Sequence, residues 1–299
     1  MSNIVNLSKL GLLLNIQKHA SLLFVFFFIF AAGVNGKETE NHTSKGAEMA
    51  YIRLRASCFK TSVDVYINGV LIESNLRALS RTLSVNQWAI NGENTVRVVI
   101  SQDTSQTNDP AGQSFEMEIL MYREPELKET TVGKIEWTGE DDTVFPVIVE
   151  KNITFDIPYG DWIWQDADIL NEENLDRESL TTFIETIHTM LSQKDYTGLS
   201  SVLSVKTREL ARAYGFSIEE RLEDQSSFFN DELFSDPLWN MQPLNPNEFK
   251  ITYHAQGRLI EITDQNGNTP LESVSLESGI VFSLNLFLCQ KSGQWILCR

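Results

Sequence analysis

The sequence predicts an α+β protein of two domains: an N-terminal antiparallel β-sandwich and C-terminal helices packed on a curved antiparallel sheet. Three observations carry this reading. From residue 49 to 157 apolar residues recur at every second position with no helical period between them. From 175 to 229 they recur at three- and four-residue steps, and from 249 onward the two-residue alternation returns. Strands, then helices, then strands again put the helices on one antiparallel sheet rather than between parallel strands.

The first 36 residues stand apart. Lys9 and Lys18 precede any acid, and Ala20 to Ala32 is apolar apart from Ser21. Val34 and Gly36 lie three and one positions before Lys37, a spacing that suits a signal-peptidase cut. The apolar run falls short of the roughly 20 residues a membrane-spanning helix needs. The expectation is a signal peptide over 1–36, a periplasmic or secreted protein, and no membrane span after its removal. Residues 37–48 are polar and aperiodic and read as a disordered leader.

Charge narrows the partners. The chain carries 41 acids against 24 Lys+Arg, a net charge of −17. Removing residues 1–36 takes away lysines and no acid, so the remainder is more acidic still. Such a surface excludes nucleic acid, whose binding runs on Lys and Arg.

Within 49–157, Ile52, Leu54, Ala56 and Cys58 alternate with polar residues as in a half-buried strand. Val63 to Ile67 leads through Asn68-Gly69, a strong hairpin signal, into Val70 to Ile72. Further strands are expected near Leu83 to Trp88, Val96 to Ile100 and Phe115 to Tyr122, and 132–137 is a short apolar piece. One or two more, over Val144 to Val149 and Ile153 to Ile157, lead into the segment that follows. The run Val65-Tyr66-Ile67-Asn68-Gly69 with Ile90-Asn91-Gly92-Glu93-Asn94-Thr95-Val96-Arg97-Val98 resembles the turn pattern of galactose-binding-like jelly rolls. The resemblance implies a sandwich and, for a member of that family, sugar binding.

Residues 158–174 form an aromatic inter-domain seam. Tyr159, Trp162 and Trp164 crowd into a few positions, and burying two Trp so close together takes two surfaces. Asp161, Asp166 and Asp168 lie among them, but their spacing is not that of an EF-hand, so no metal is expected.

In 175–299, Asp176 or Asn174 can cap a helix whose stripe is Leu180, Phe183, Ile184, Ile187 and Leu191. Gly198 then punctuates, with a short helix over 199–203, another over Thr207 to Tyr214 stopped by Gly215, and a fourth over Ile218 to Phe229. Pro237, Pro243 and Pro246 break the next stretch into a loop carrying Trp239 and Met241. Strands follow at 249–254 and 259–262. A final hairpin of 280–289 and 294–298 turns at Lys291-Ser292-Gly293-Gln294. This order of elements resembles the cone-shaped fold of the nuclear transport factor 2 (NTF2)-like group, which implies a pocket between helices and sheet. Members of that group include isomerases and dehydratases as well as binding and dimerisation modules.

Cys289 and Cys298 are candidates for a disulfide across the last hairpin, in a register that spacing alone does not fix. Cys58 is left over and reads as buried and inert. Nucleophile elbows, phosphate loops, dinucleotide fingerprints and zinc-protease motifs are missing from the sequence, and no cofactor is expected. If the protein is an enzyme, an isomerase or hydrolase in the C-terminal pocket, His254 with Glu261 or Glu185 would move the proton. The reading favoured here is a non-catalytic binding protein whose partner is another envelope or secreted protein, with an inhibitor or immunity-type protein as one version. Tyr159, Trp162, Trp164 and Trp239 are its candidate binding residues, because aromatics beside loops anchor partners. A carbohydrate-binding module is the remaining alternative.

Overall fold

Alternation along the chain becomes, among the described residues, eight strands before the first helix. They are β1 (Ala50–Phe59), β2 (Thr61–Ile67), β3 (Val70–Leu76), β4 (Arg81–Ser84), β5 (Gly92–Gln102), β6 (Ser114–Arg123), β7 (Thr130–Thr138) and β8 (Val147–Phe155). The computed structural model describes residues 49–103, 105, 111–125 and 128–299. The signal peptide and the leader fall outside the described residues.

The strands form two antiparallel sheets, ordered β4-β1-β6-β7 and β3-β2-β5-β8. β1 and β6 pair without a break from Ala50↔Arg123 to Phe59↔Ser114, which puts Ile52, Leu54, Ala56 and Cys58 on the face shared with Phe115, Met117 and Ile119. From the other sheet, Val63, Val65, Val96, Val98 and Ile153 enter the same core. Asn68 and Gly69 both have positive φ (51° and 77°), the conformation of the tight hairpin turn. The asparagines of the two turns also lock together. Asn68 Nδ2 donates to Asn94 Oδ1 at 2.8 Å, and Asn68 Oδ1 accepts from Thr95 N at 3.0 Å. Those asparagines are spent on turn geometry. Of the one or two strands expected over 144–149 and 153–157 there is one: β8 is continuous, paired with β5 from Val147 to Phe155.

Three helices follow: α1 (Arg177–Ser192), α2 (Tyr196–Tyr214) and α3 (Ile218–Ser227). Asp176 caps α1 through Ser179 N, and Leu180, Ile184, Ile187 and Leu191 form its buried stripe. The short helix at 199–203 and the piece at 207–214 are one helix. Gly198 lies in its first turn, where its amide is the group that Asp195 caps, so it opens α2 instead of interrupting it. α3 runs on into a wider turn over Phe228–Leu233.

The third antiparallel sheet is ordered β12-β11-β10-β9, from β9 (Lys250–His254), β10 (Leu259–Thr263), β11 (Leu286–Lys291) and β12 (Gln294–Leu297). The long strand expected over 280–289 begins only at Leu286. Before it, Ser283 makes an isolated bridge to Glu272, and Phe282 and Leu284 turn into the helix-side core. This sheet is buried on both faces. Ile260, Ile262, Leu286, Leu288 and Leu297 share a core with the helices. Their neighbours Leu259, Cys289 and Cys298 share a core with the sandwich, and Phe287 and Ile296 pack against it. The layers therefore run helices, sheet, sandwich. The architecture is α+β, with three antiparallel sheets and three helices among the described residues. No helix among these residues is long and apolar enough to cross a membrane.

Candidate functional site

The segment after β8 is threaded between the sandwich and the last sheet, and its backbone is fixed to both sides. Gly160 has φ 113° and passes so close to the Asn91 turn that a Cβ there would sit 2.5 Å from Asn91 N. Asp168 N donates to Gln290 O at 2.8 Å, and Arg258 Nη1 donates to Ala167 O at 2.8 Å. A short 3-10 turn, Ile163–Asp166, is pinned where Trp162 N donates to Gln165 Oε1 at 2.7 Å.

The aromatics of this segment point inward. Tyr159, Trp162 and Trp164 are 4%, 2% and 4% exposed, and Trp239 is 7% exposed. Tyr159 OH donates to Ala50 O at 2.9 Å, and Trp162 Nε1 donates to Ala89 O at 2.7 Å. Trp239 lies elsewhere, in the helix-side core, with its Nε1 donating to Leu191 O at 3.0 Å. As placed, all four candidate binding residues are interior, and of them Trp162 alone reaches the lining of an open cleft. The physical reason is that the polar end of three of them finds a backbone carbonyl inside the fold, so burial costs them little. Composition cannot distinguish a Trp beside a loop from a Trp beneath one.

Around Trp162 the structure gathers polar groups that periodicity does not reveal. Asn86, Gln87, Glu209 and Arg299 are each buried. Asn86 accepts from Ile52 N at 2.8 Å and donates to Ala213 O at 2.6 Å, joining β1 to the end of α2. Arg299 Nε and Nη2 donate to Gln87 O at 3.1 and 3.0 Å, and its Nη1 donates to the Glu209 carboxylate. Its guanidinium lies over Trp162, 4.9 Å from the ring centroid, and over Trp88 at 5.6 Å. Burial holds the Arg299 pKa below its ordinary value, opposed by the Glu209 charge beside it. The other oxygen of Glu209 accepts from Ile163 N at 2.7 Å. Lys206, half-buried on α2, is pushed down to about 8 by burial and then by the charge of Arg299.

Outside this cluster opens a cleft of about 360 Å³ lined by Asp161, Trp162, Ile163, Gln165, Asp166, Glu209 and Lys291. Arg212 braces its rim, donating to Asp161 O at 2.7 Å with its guanidinium 5.2 Å from the Trp162 centroid. The side chains of Asp161 and Asp166 are exposed and make no ion pair among the described residues. A second cleft, of about 240 Å³, includes Gln242, Glu248, Asp264 and Glu272. There burial, and then the Asp264 charge, raise the Glu272 carboxyl above its ordinary value.

His254 and Glu261 do meet: Nε2 lies 3.0 Å from Oε2. The pair sits on the sandwich-facing side of the last sheet, where His254 is 3% exposed and its ring is 5.8 Å from that of Phe287. Alternation along β9 explains this, since Tyr253 packs toward the helices and His254 faces away. The helix-covered interior, where a pocket was expected, is filled by Phe229, Phe234, Trp239 and Phe282 with centroids 5.2–5.8 Å apart. Glu185 is exposed on α1, and His188 contacts Gln242 O at 2.8 Å instead.

Cys289 and Cys298 are joined by a disulfide. Cys58 is free and buried, its thiol pushed up to about 11 by burial against the opposing hydrogen bond with Thr61. Among the described residues no three His, Cys, Asp or Glu gather as metal ligands. No protein-family model, no curated protein and no solved structure matches the chain.

Proposed function

We propose that this is an exported, non-catalytic binding protein that recognises a basic surface on another envelope or secreted protein, in the manner of an inhibitor or immunity-type protein. In this reading residues 1–36 are the export signal, and the protein works in the periplasm or outside the cell. Residues 49–157 form the sandwich domain and 175–299 an NTF2-like domain. The order of elements and the packing of α1 and the first turns of α2 on one face of the last sheet support the second assignment.

The observation that carries the functional reading is the cleft at Asp161 and Asp166. Two exposed carboxylates without ion pairs stand at the mouth of a recess whose Trp162 and Glu209 are buried and held by fixed hydrogen bonds. A preorganised acidic recess suits a Lys or Arg anchor from a partner, and the chain's strong negative charge would steer the encounter. The anchor on this chain is then the carboxylate pair, with the seam aromatics serving as its foundation.

The test is affinity capture from envelope and secreted extracts with residues 37–299 as bait, beside the Asp161→Asn/Asp166→Asn double variant. Both substitutions are at the surface and should change stability by no more than about 0.5 kcal/mol. The expected result is a partner with a basic patch, weakened by salt and lost with the variant. A partner held equally by both baits would move the binding surface away from the cleft.

A further inference from the structure

We infer that the Cys289–Cys298 disulfide and Arg299 form a redox-sensitive latch on the seam between the sandwich and the helix–sheet half. Arg299 follows directly on Cys298, and Cys298 is tied by the disulfide to β11. Both sulfurs belong to residues with no exposed surface, on the sandwich-facing side of the sheet. From that anchored position the guanidinium reaches three separate parts of the chain: Gln87 O and the Trp88 ring beside the sandwich, Trp162 in the linking segment, and Glu209 on α2. No other buried cation joins those three parts among the described residues. Glu209 passes the constraint on to Ile163 N, at the lining of the cleft.

Backbone hydrogen bonds alone hold the same stretch less firmly. Cys298 N and Arg299 N both donate to Phe287 O, at 2.8 and 3.2 Å, and Phe287 N returns a long bond to Arg299 O at 3.4 Å, so a single residue of β11 carries all the backbone pairing given to the stretch beyond β12. The disulfide closes the remaining freedom. Reduction by a dithiol breaks the S–S bond, delivers two electrons and two protons to form the Cys289 and Cys298 thiols, and leaves the reductant as its own disulfide. Freed, the end of β12 no longer presents Arg299 in register. The buried Glu209 carboxylate then keeps only the half-exposed Arg212, 4.0 Å from its Oε1, as counter-charge, and the seam opens at residues 86–89 and 161–166. The coupling runs in both directions: a thiolate can reach the buried sulfurs only when the seam opens, so a tight seam protects the disulfide.

The purified protein is incubated with dithiothreitol in native buffer. Peptide mapping after alkylation follows Cys289 and Cys298 separately from Cys58, and hydrogen exchange is read before and after reduction. Exchange is expected to rise at 86–89 and 161–166 while β1 and β6 keep their protection. In Arg299→Gln, which loses the charge but keeps an amide donor, the disulfide should be reduced at least roughly tenfold faster, the factor given by about 1.4 kcal/mol of lost seam stability. Arg299→Lys, which keeps the charge but not the planar fork, should fall between the two and replaces the Gln variant if that does not fold. Three results would overturn the latch: a disulfide that resists the dithiol altogether, reduction with unchanged seam exchange, or reduction that unfolds the sandwich as well. The wild-type exchange measurement decides the matter whatever the variants do.

Discussion

On the helix-facing side of the last sheet, Ile260, Ile262, Leu286, Leu288 and Leu297 share an apolar core with Leu180, Ile184, Ile187 and Leu191. On the sandwich-facing side, Leu259, Phe287 and the disulfide are accompanied by His254, Glu261, Arg299, Glu209, Asn86 and Gln87. The first closure joins segments within the last half of the chain. The second joins residues as far apart as Gln87 and Arg299, separated by 212 positions. Apolar packing is non-directional and tolerates sliding, which suffices where short connections already set the geometry. Two halves joined across a long sequence separation can dock in many ways, and a guanidinium with several fixed acceptors admits few of them. The difference between the faces is therefore one of specificity against bulk stability.

The largest effect should come from breaking the polar face. Arg299→Met leaves the buried Glu209 carboxylate with only the half-exposed Arg212, 4.0 Å from its other oxygen, as counter-charge, a change that costs about 3 kcal/mol. Adding Glu209→Gln removes that charge and keeps an acceptor for Ile163 N, so the double variant should be more stable than Arg299→Met alone. Urea unfolding of the two singles and the double measures the coupling. A loss below about 1 kcal/mol for Arg299→Met would mean that solvent in the cleft already screens the pair, and the comparison between the faces would fail.

The apolar face should respond by simple loss of packing. Ile184 has no exposed surface, and Ile184→Ala should cost about 3 kcal/mol in the same unfolding assay. The sheet stands between this site and the seam, so the double variant with Arg299→Met should be additive within about 0.5 kcal/mol. A large departure from additivity would show that the sheet transmits strain, and that its two faces cannot be treated as independent closures.

Which parts were legible in the sequence follows the same division. The alternation of Ile52, Leu54, Ala56 and Cys58 and the stripe of α1 both announce a face, because a repeated apolar position has one physical use. Gly198 misled because glycine is read as a breaker, whereas here it supplies the amide of a capped first turn. Continuous runs such as Leu286-Phe287-Leu288-Cys289 do signal a sheet buried on both faces, but not what covers the second face. The linking segment was recognisable by its tryptophans. Its partners were not: Asn86 with Gln87, Glu209 and Arg299 come from three distant places and fit no local pattern. Asp161 and Asp166 could be seen as loop acids, but only the fold places them at one cleft.

The polar face also carries a cost of its own, and the smallest prediction isolates it. Burial and the neighbouring Arg299 charge lower the Lys206 pKa from its ordinary 10.5 to about 8. The protonated form is thus disfavoured in the folded state relative to the unfolded one. That penalty is fully present below about pH 8, shrinks as pH rises toward 10.5, and is gone above it. Lys206 is partly exposed, so its penalty is set at about 1 kcal/mol, well under the full shift. Lys206→Met keeps the stem and removes the charge. It should stabilise the protein by about that amount at neutral pH, with the gain fading through alkaline pH. Tyrosine ionisation acts on both proteins and cancels in their difference. Thermal unfolding of the pair across this range reads the effect directly. A gain that does not change with pH would trace to packing instead of charge, and a loss would show that the ammonium is needed where it stands.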